Sequence, residues 1–160
     1  MRLTSEGTMT AVARTSAIPA WLTTYIDAWN SHDPERLLGC MTDDAVVDDR
    51  ALGERWQGRD GIAAMLRDMH EHMSSDFRLD TGELVVATDD TWAAEWSMSG
   101  TNDRADEARG FPSTGRTFEV HGLSIGRLRD GEVAEDRIYW NLTEYLTQVG
   151  LMPEGPAPEG

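Results

Sequence analysis

Residues 116–140 read RTFEVHGLSIGRLRDGEVAEDRIYW, and this stretch decides the fold. Two runs rich in Val, Ile, Leu and aromatic residues flank Arg129-Asp130-Gly131, with Gly131 free to take a left-handed turn position. They predict a β-hairpin with strands over 116–128 and 132–140. Alternate side chains share a face, so Gly122, Ser124 and Gly126 lie together, with Leu123 and Ile125 opposite. A three-residue turn pairs Leu128 with Glu132, which sets Ser124 beside Asp136 and Gly122 beside Ile138. Small residues beside Asp136, Ile138 and Trp140 predict a hollow on that face, suited to a ligand. The other face, with Leu123, Ile125, Val133 and Tyr139, is apolar enough to need a cover, which a homodimer would supply. Turn length governs both statements, because a two-residue turn exchanges the faces.

Upstream, Phe77 to Ala87 and Thr91 to Thr101 read as strands joined by Thr88-Asp89-Asp90. In the second of these, Trp92, Ala94, Trp96, Met98 and Gly100 share an apolar face opposite Glu95, Ser97 and Ser99. A polar loop, Asn102 to Gly115, leads into the hairpin. Nearer the N-terminus the period changes to that of helices. Trp21, Leu22, Tyr25, Ile26 and Trp29 follow Pro19 at 3–4 spacing. Asp33 caps a short second helix through Met41. Ala45 to Asp49 reads as a short strand. Ile62, Met65, Leu66, Met69 and Met73 stripe a third helix after Gly58. A closing helix spans Leu142 to Val149. Helices with one short strand, followed by an antiparallel meander, make an α+β domain. The expected organisation is a flexible leader over 1–16, one domain over 17–152 and a disordered tail over 153–160.

The net charge of −15 argues against nucleic acid or an anionic membrane as partner, since few bases are available to replace phosphate counterions. All fourteen bases are Arg. A chain without Lys cannot form a Schiff base or anchor pyridoxal phosphate on one. Cys40 stands alone, so no intrachain disulfide or thiolate metal cluster forms. No apolar run approaches the length of about 18 residues that spans a membrane. Residues 1–16 lack the apolar core of a secretory signal, and a cytoplasmic location is expected.

The run GFPSTGRTFEVHGLSIGRLRDGEVAEDRIYWNLTEYLTQVGLMP, residues 110–153, resembles the C-terminal half of SnoaL-like polyketide cyclases. The shared features are a Pro-x-Thr-Gly-Arg loop, an Arg/Asp-Gly turn, a strand ending in an aromatic pair and a Gln-x-Gly helix. Residues 21–62, from WLTTYIDAWN to WQGRDGI, are similar to the N-terminal half of the same superfamily. That superfamily includes ketosteroid isomerase, limonene-epoxide hydrolase and polyether-forming epoxide hydrolases. The resemblance implies a cone-shaped, curved, mostly antiparallel sheet wrapped by three N-terminal helices around a pocket. It also places Asp49 at the isomerase's general base and Tyr25 at its oxyanion tyrosine. The isomerase's second oxyanion donor falls on Ser124. The His and Asp of the aldol cyclases fall on Ser124 and Ile138, so neither is present.

Asp49 ends an apolar strand, where desolvation would raise its pKa toward that of a usable base. The alternative is an ordinary surface acid. Tyr25 lies on an apolar helix face, either as an oxyanion donor or as a core aromatic. Asp136 points into the predicted hollow, or else into solvent. Asp76 could pair with Asp49 in epoxide opening, although a loop role is the plainer reading. His121 falls on the outer parity. His70 and His72 diverge on their helix and cannot chelate one metal together. Trp96 and Trp140 suit stacking on a flat ligand, with Met98, Trp56, Ser124 and Ile138 as further lining.

With these residues, the resemblance implies a cofactor-free, metal-free acid–base enzyme of secondary metabolism, of the kind found in antibiotic biosynthesis. It would cyclise or isomerise a small apolar polyketide-like or terpenoid-like molecule. Epoxide opening is the alternative chemistry, and a non-catalytic binding dimer the alternative class. A carboxyl pair within reach of one water, Asp49 with Asp76 or Asp136, favours epoxide chemistry; a lone Asp49 facing Tyr25 favours enolisation.

Overall fold

A computed structural model describes residues 17–152; the expected leader and tail lie outside the described residues. In chain order the elements are α1 (Ala20–Asn30), α2 (Pro34–Leu38), β1 (Met41–Asp49), β2 (Glu54–Gln57) and α3 (Gly58–His72). There follow β3 (Arg78–Ala87), β4 (Thr91–Thr101), β5 (Thr117–Arg129), β6 (Glu132–Trp140) and α4 (Leu142–Gln148). The strands form one curved sheet in the order β2-β1-β6-β5-β4-β3. Neighbours run antiparallel except β1 and β6, which are parallel. This is the α+β cone expected from the sequence.

The β5–β6 hairpin departs from its expected register in two ways that cancel. Arg129 pairs with Glu132, so Asp130-Gly131 is a two-residue turn, with φ of 52° and 79°. Both positive values are those a primed hairpin turn demands. Alone, this turn would exchange the faces. A bulge then intervenes, because Leu128 faces Val133 while Arg127 faces Glu135. The extra residue restores the parity. Gly126, Ser124 and Gly122 therefore stand opposite Asp136, Ile138 and Trp140, one pair further along than the three-residue turn implied. The bulge also turns Val133 into the core at 1% exposure, so it does not belong to the outer apolar face.

The expected hollow is likewise corrected. A Cβ on Gly122 would collide with the Trp96 indole, and one on Gly126 would collide with the Glu135 carbonyl oxygen and with the Trp92 indole. The two glycines are notches that seat indoles from β4, and the cavity lies above those rings.

The helices wrap the sheet as their apolar spacing requires. α1 buries Leu22, Tyr25, Ala28 and Trp29, and α3 buries Ile62, Ala63, Met65 and Leu66. Asp33 caps α2 by accepting from the Glu35 amide at 3.0 Å. That helix ends at Leu38 rather than Met41, because Met41 already opens β1. α4 is fastened to β5 by Gln148, which accepts from the Glu119 amide and donates to the Glu119 carbonyl. Among the described residues no helix is long and apolar enough to cross a membrane.

Candidate active site

A cavity of about 130 Å³ lies between the inner sheet face and the helices. Asp49, Tyr25, Asp136, Ser124, Trp96, Ile138, Trp140, Met98 and Trp56 all line it. Each arrives by strand parity or helix spacing. Asp136 and Ile138 project inward from β6, and Asp49 from the adjoining end of β1, where it pairs with Ile138.

The centre of the site is a buried carboxyl. Asp136 is 2% exposed and Tyr25 is equally sealed. The Tyr25 hydroxyl donates to Asp136 Oδ2, while the buried Oδ1 has no hydrogen-bond partner among the described residues. Burial raises the Asp136 pKa to about 6, against the lowering pull of the Ser124 and Tyr25 hydroxyls, and the Asp49 charge adds to the rise. Tyr25 is itself pushed well above the ordinary phenol value, first by burial and then by Asp136. It therefore stays protonated and acts as a donor. Trp96 Nε1 donates to Ser124 Oγ at 3.1 Å, leaving the serine hydrogen available to the Asp136 carboxylate, whose pKa it lowers.

Asp49 is 7% exposed and differently held. Its Oδ1 accepts from the amides of Ala51 and Leu52, each at 2.9 Å. Trp140 Nε1 straddles its two oxygens at 3.1 and 3.0 Å. Burial raises its pKa, while these donors counter the rise by favouring the anion. Asp49 thus fastens the β1–β2 turn and presents Oδ2, whose one hydrogen bond comes from Trp140, at the cavity. Tyr25 faces Asp136, not Asp49.

Asp76 is exposed and away from the cavity. It accepts from the Thr101 amide and from the hydroxyls of Thr101 and Ser74, so it braces the β3–β4 end rather than pairing with Asp49. His121 is exposed on the outer face, and His70 packs its ring 5.0 Å from His32. Among the described residues no group of three or more His, Cys, Asp or Glu could hold a metal ion.

Several lining residues carried no site signal in the sequence. Trp92 shares the inward parity of Trp96 and sets its ring edge-on to Tyr25. Asn102 donates to the Tyr145 hydroxyl at 3.0 Å, joining the 102–116 loop to α4. Arg109, also in that loop, bonds Glu54 of β2, Asp68 of α3 and Asp106. It fastens the loop across one end of the cavity.

No curated protein sequence matches the chain. Among solved structures, a Catenulispora acidiphila protein with a ketosteroid isomerase-like fold, determined with trimethylamine, is 22% identical with a TM-score of 0.72. That match covers 85% of this chain and 96% of the other. A candidate polyketide cyclase from Xanthomonas campestris is 28% identical with a TM-score of 0.67, over 81% and 93% of the two chains. IdmH, a candidate polyketide cyclase from Streptomyces antibioticus, is 25% identical with a TM-score of 0.68, over 81% and 96%. The model of the SnoaL-like domain matches residues 22–136, a stretch running from α1 to the central carboxyl of the cavity. On that match and this fold, the chain belongs to the SnoaL-like domain family.

Proposed function

We propose that the protein is an acid–base enzyme that isomerises or cyclises a small, largely apolar molecule through an enolate, without an organic cofactor. The observation that carries this is Asp136: a sealed carboxyl in an apolar cavity, with one oxygen unpartnered among the described residues and a pKa of about 6. Such a group takes a proton from carbon near neutral pH and returns it elsewhere. On protonation it draws less on the Tyr25 hydroxyl, which can then turn to the oxygen that gains charge. Asp49 serves as the second carboxylate, held in place by Trp140 and the turn amides. Trp96, Met98, Ile138 and Trp56 shape the apolar walls. The candidate polyketide cyclases among its structural neighbours support a polyketide-like or terpenoid-like substrate from bacterial secondary metabolism. A cytoplasmic homodimer, covered on its outer sheet face at Leu123, Ile125 and Tyr139, completes the proposal.

A second reading is favoured by Asp49 and Asp136 lining one cavity. One carboxyl could protonate an epoxide oxygen while the other activates water or an internal hydroxyl. Native mass spectrometry of the purified protein identifies a retained ligand, which is then incubated with enzyme in labelled water. Enolisation puts solvent deuterium on carbon; epoxide hydrolysis puts solvent oxygen-18 into a product hydroxyl. Asp136→Asn should abolish either label. A ligand that acquires neither from the wild type would make the protein a binding module.

A further inference from the structure

The charge inside the cavity is lopsided. Asp49, Asp68, Glu95, Asp106 and Asp136 line it against two bases, Arg109 and His72, and His72 lies 3.9 Å from Asp68. Arg109 is already engaged by Glu54, Asp68 and Asp106. Among the described residues, Asp49 and Asp136 have no Arg or His within ion-pair distance; their polar partners are amides, an indole and hydroxyls. The charged neighbours that act on them are acids: Glu54 on Asp49, and Asp49 and Glu135 on Asp136. Buried charges in proteins are normally paired. A proton on Asp136, whose pKa is about 6, would relieve the imbalance at lower pH, and its Oδ1 has no partner among the described residues.

The surrounding walls are aromatic. Tyr25, Trp29, Trp92, Trp96 and Trp140 all line the cavity, and aromatic faces attract cations most strongly where water is excluded. Resting on the reading of this cavity as the ligand site, we propose that its ligand carries a positive charge. It would be an amine or quaternary ammonium on an apolar body, held between the carboxylates of Asp49 and Asp136 and the aromatic walls. A bound cation would take the place of the Asp136 proton, and an anion would be repelled.

The test uses the full chain and two probes of nearly equal shape, phenyltrimethylammonium and tert-butylbenzene, followed by tryptophan fluorescence and calorimetry. At pH 7.5 the cation should bind at least about tenfold more tightly. Its advantage should shrink at pH 5, as Asp136 gains a proton. At pH 6 its binding should release protons, read from calorimetry in buffers of differing ionisation heat, whereas tert-butylbenzene should release none. In Asp136→Asn the preference for the cation should fall to within about threefold. The wild-type pH series keeps the test decisive if that variant fails to fold. Equal or tighter binding of tert-butylbenzene to the wild type would overturn the charge preference and leave the small-molecule pocket standing. Binding of neither probe would overturn the preference and count against the pocket as well.

Discussion

The Tyr25 hydroxyl donates to Asp136 Oδ2 at 2.8 Å, joining the first helix to the last strand across 111 residues of chain. Tyr25→Phe keeps the ring and removes this donor, leaving a buried carboxyl without it. Turnover should fall by about a hundredfold or more. Stability should drop by about 1–2 kcal/mol. The acidic limb of the pH–rate profile should also move upward, a change that mere loss of packing would not cause.

Asp136 has an ordinary value of 3.8 and a folded-state value of about 6. Between those values the folded protein holds the extra proton, so stability falls as pH rises through the window and levels off above it. Asp136→Asn removes the ionisation. The variant should be the more stable form at pH 7.5, by at most roughly 3 kcal/mol, and should lose that advantage as pH falls toward the lower value. Urea denaturation across a pH series measures it.

Gly122 exists to admit Trp96. Gly122→Ala should displace the indole, cost about 1–3 kcal/mol and red-shift the tryptophan emission. The double variant with Trp96→Leu should recover most of the lost stability, because the clash is with that ring. No recovery in thermal denaturation would refute the assignment.

Arg109→Met should free the 102–116 loop from β2 and α3. Amide exchange over residues 103–112 should accelerate, with little change in the core strands. Asp106, buried at 6% exposure, would lose its cation. The partly exposed arginine limits the expected cost to about 1–2 kcal/mol.

Tyr139 is 40% exposed beside the half-buried Leu123 and Ile125 on the outer sheet face. Leu123→Arg should convert the proposed dimer to a monomer by light scattering and leave the fold intact by circular dichroism. A wild-type monomer at high concentration would dispose of the interface.

Much of the fold was legible because period and punctuation agree with it. The helical spacing of Leu22, Tyr25 and Trp29, the Asp33 cap and the β4 alternation are all local signals. β2 escaped notice because four residues containing one Trp carry no period. The hairpin register was misread because the turn and the bulge each shift it by one, and the bulge at Ala134 has no marker in the sequence. Within the site, inward parity singled out Asp136, Ser124 and Trp96. Partnership is another matter: Tyr25 chooses Asp136, and Arg109 chooses Glu54, through contacts that exist only once distant segments meet. Likewise, the small residues of β5 read as empty space, whereas a neighbouring strand supplies the rings that fill them.

The one parallel ladder, β1 with β6, sets the order in which the protein can be made. Asp49 and Trp140 meet 91 residues apart in sequence, so a ribosome must release most of the chain before the cavity floor can close. Until then α1 and α3 wait with their apolar stripes uncovered, a costly interval for a long-range topology. Chains stalled before β6 emerges would lack the central strand and the buried carboxyl together. Binding competence and folding competence therefore arrive in the same step of synthesis, and a partly made chain would display neither.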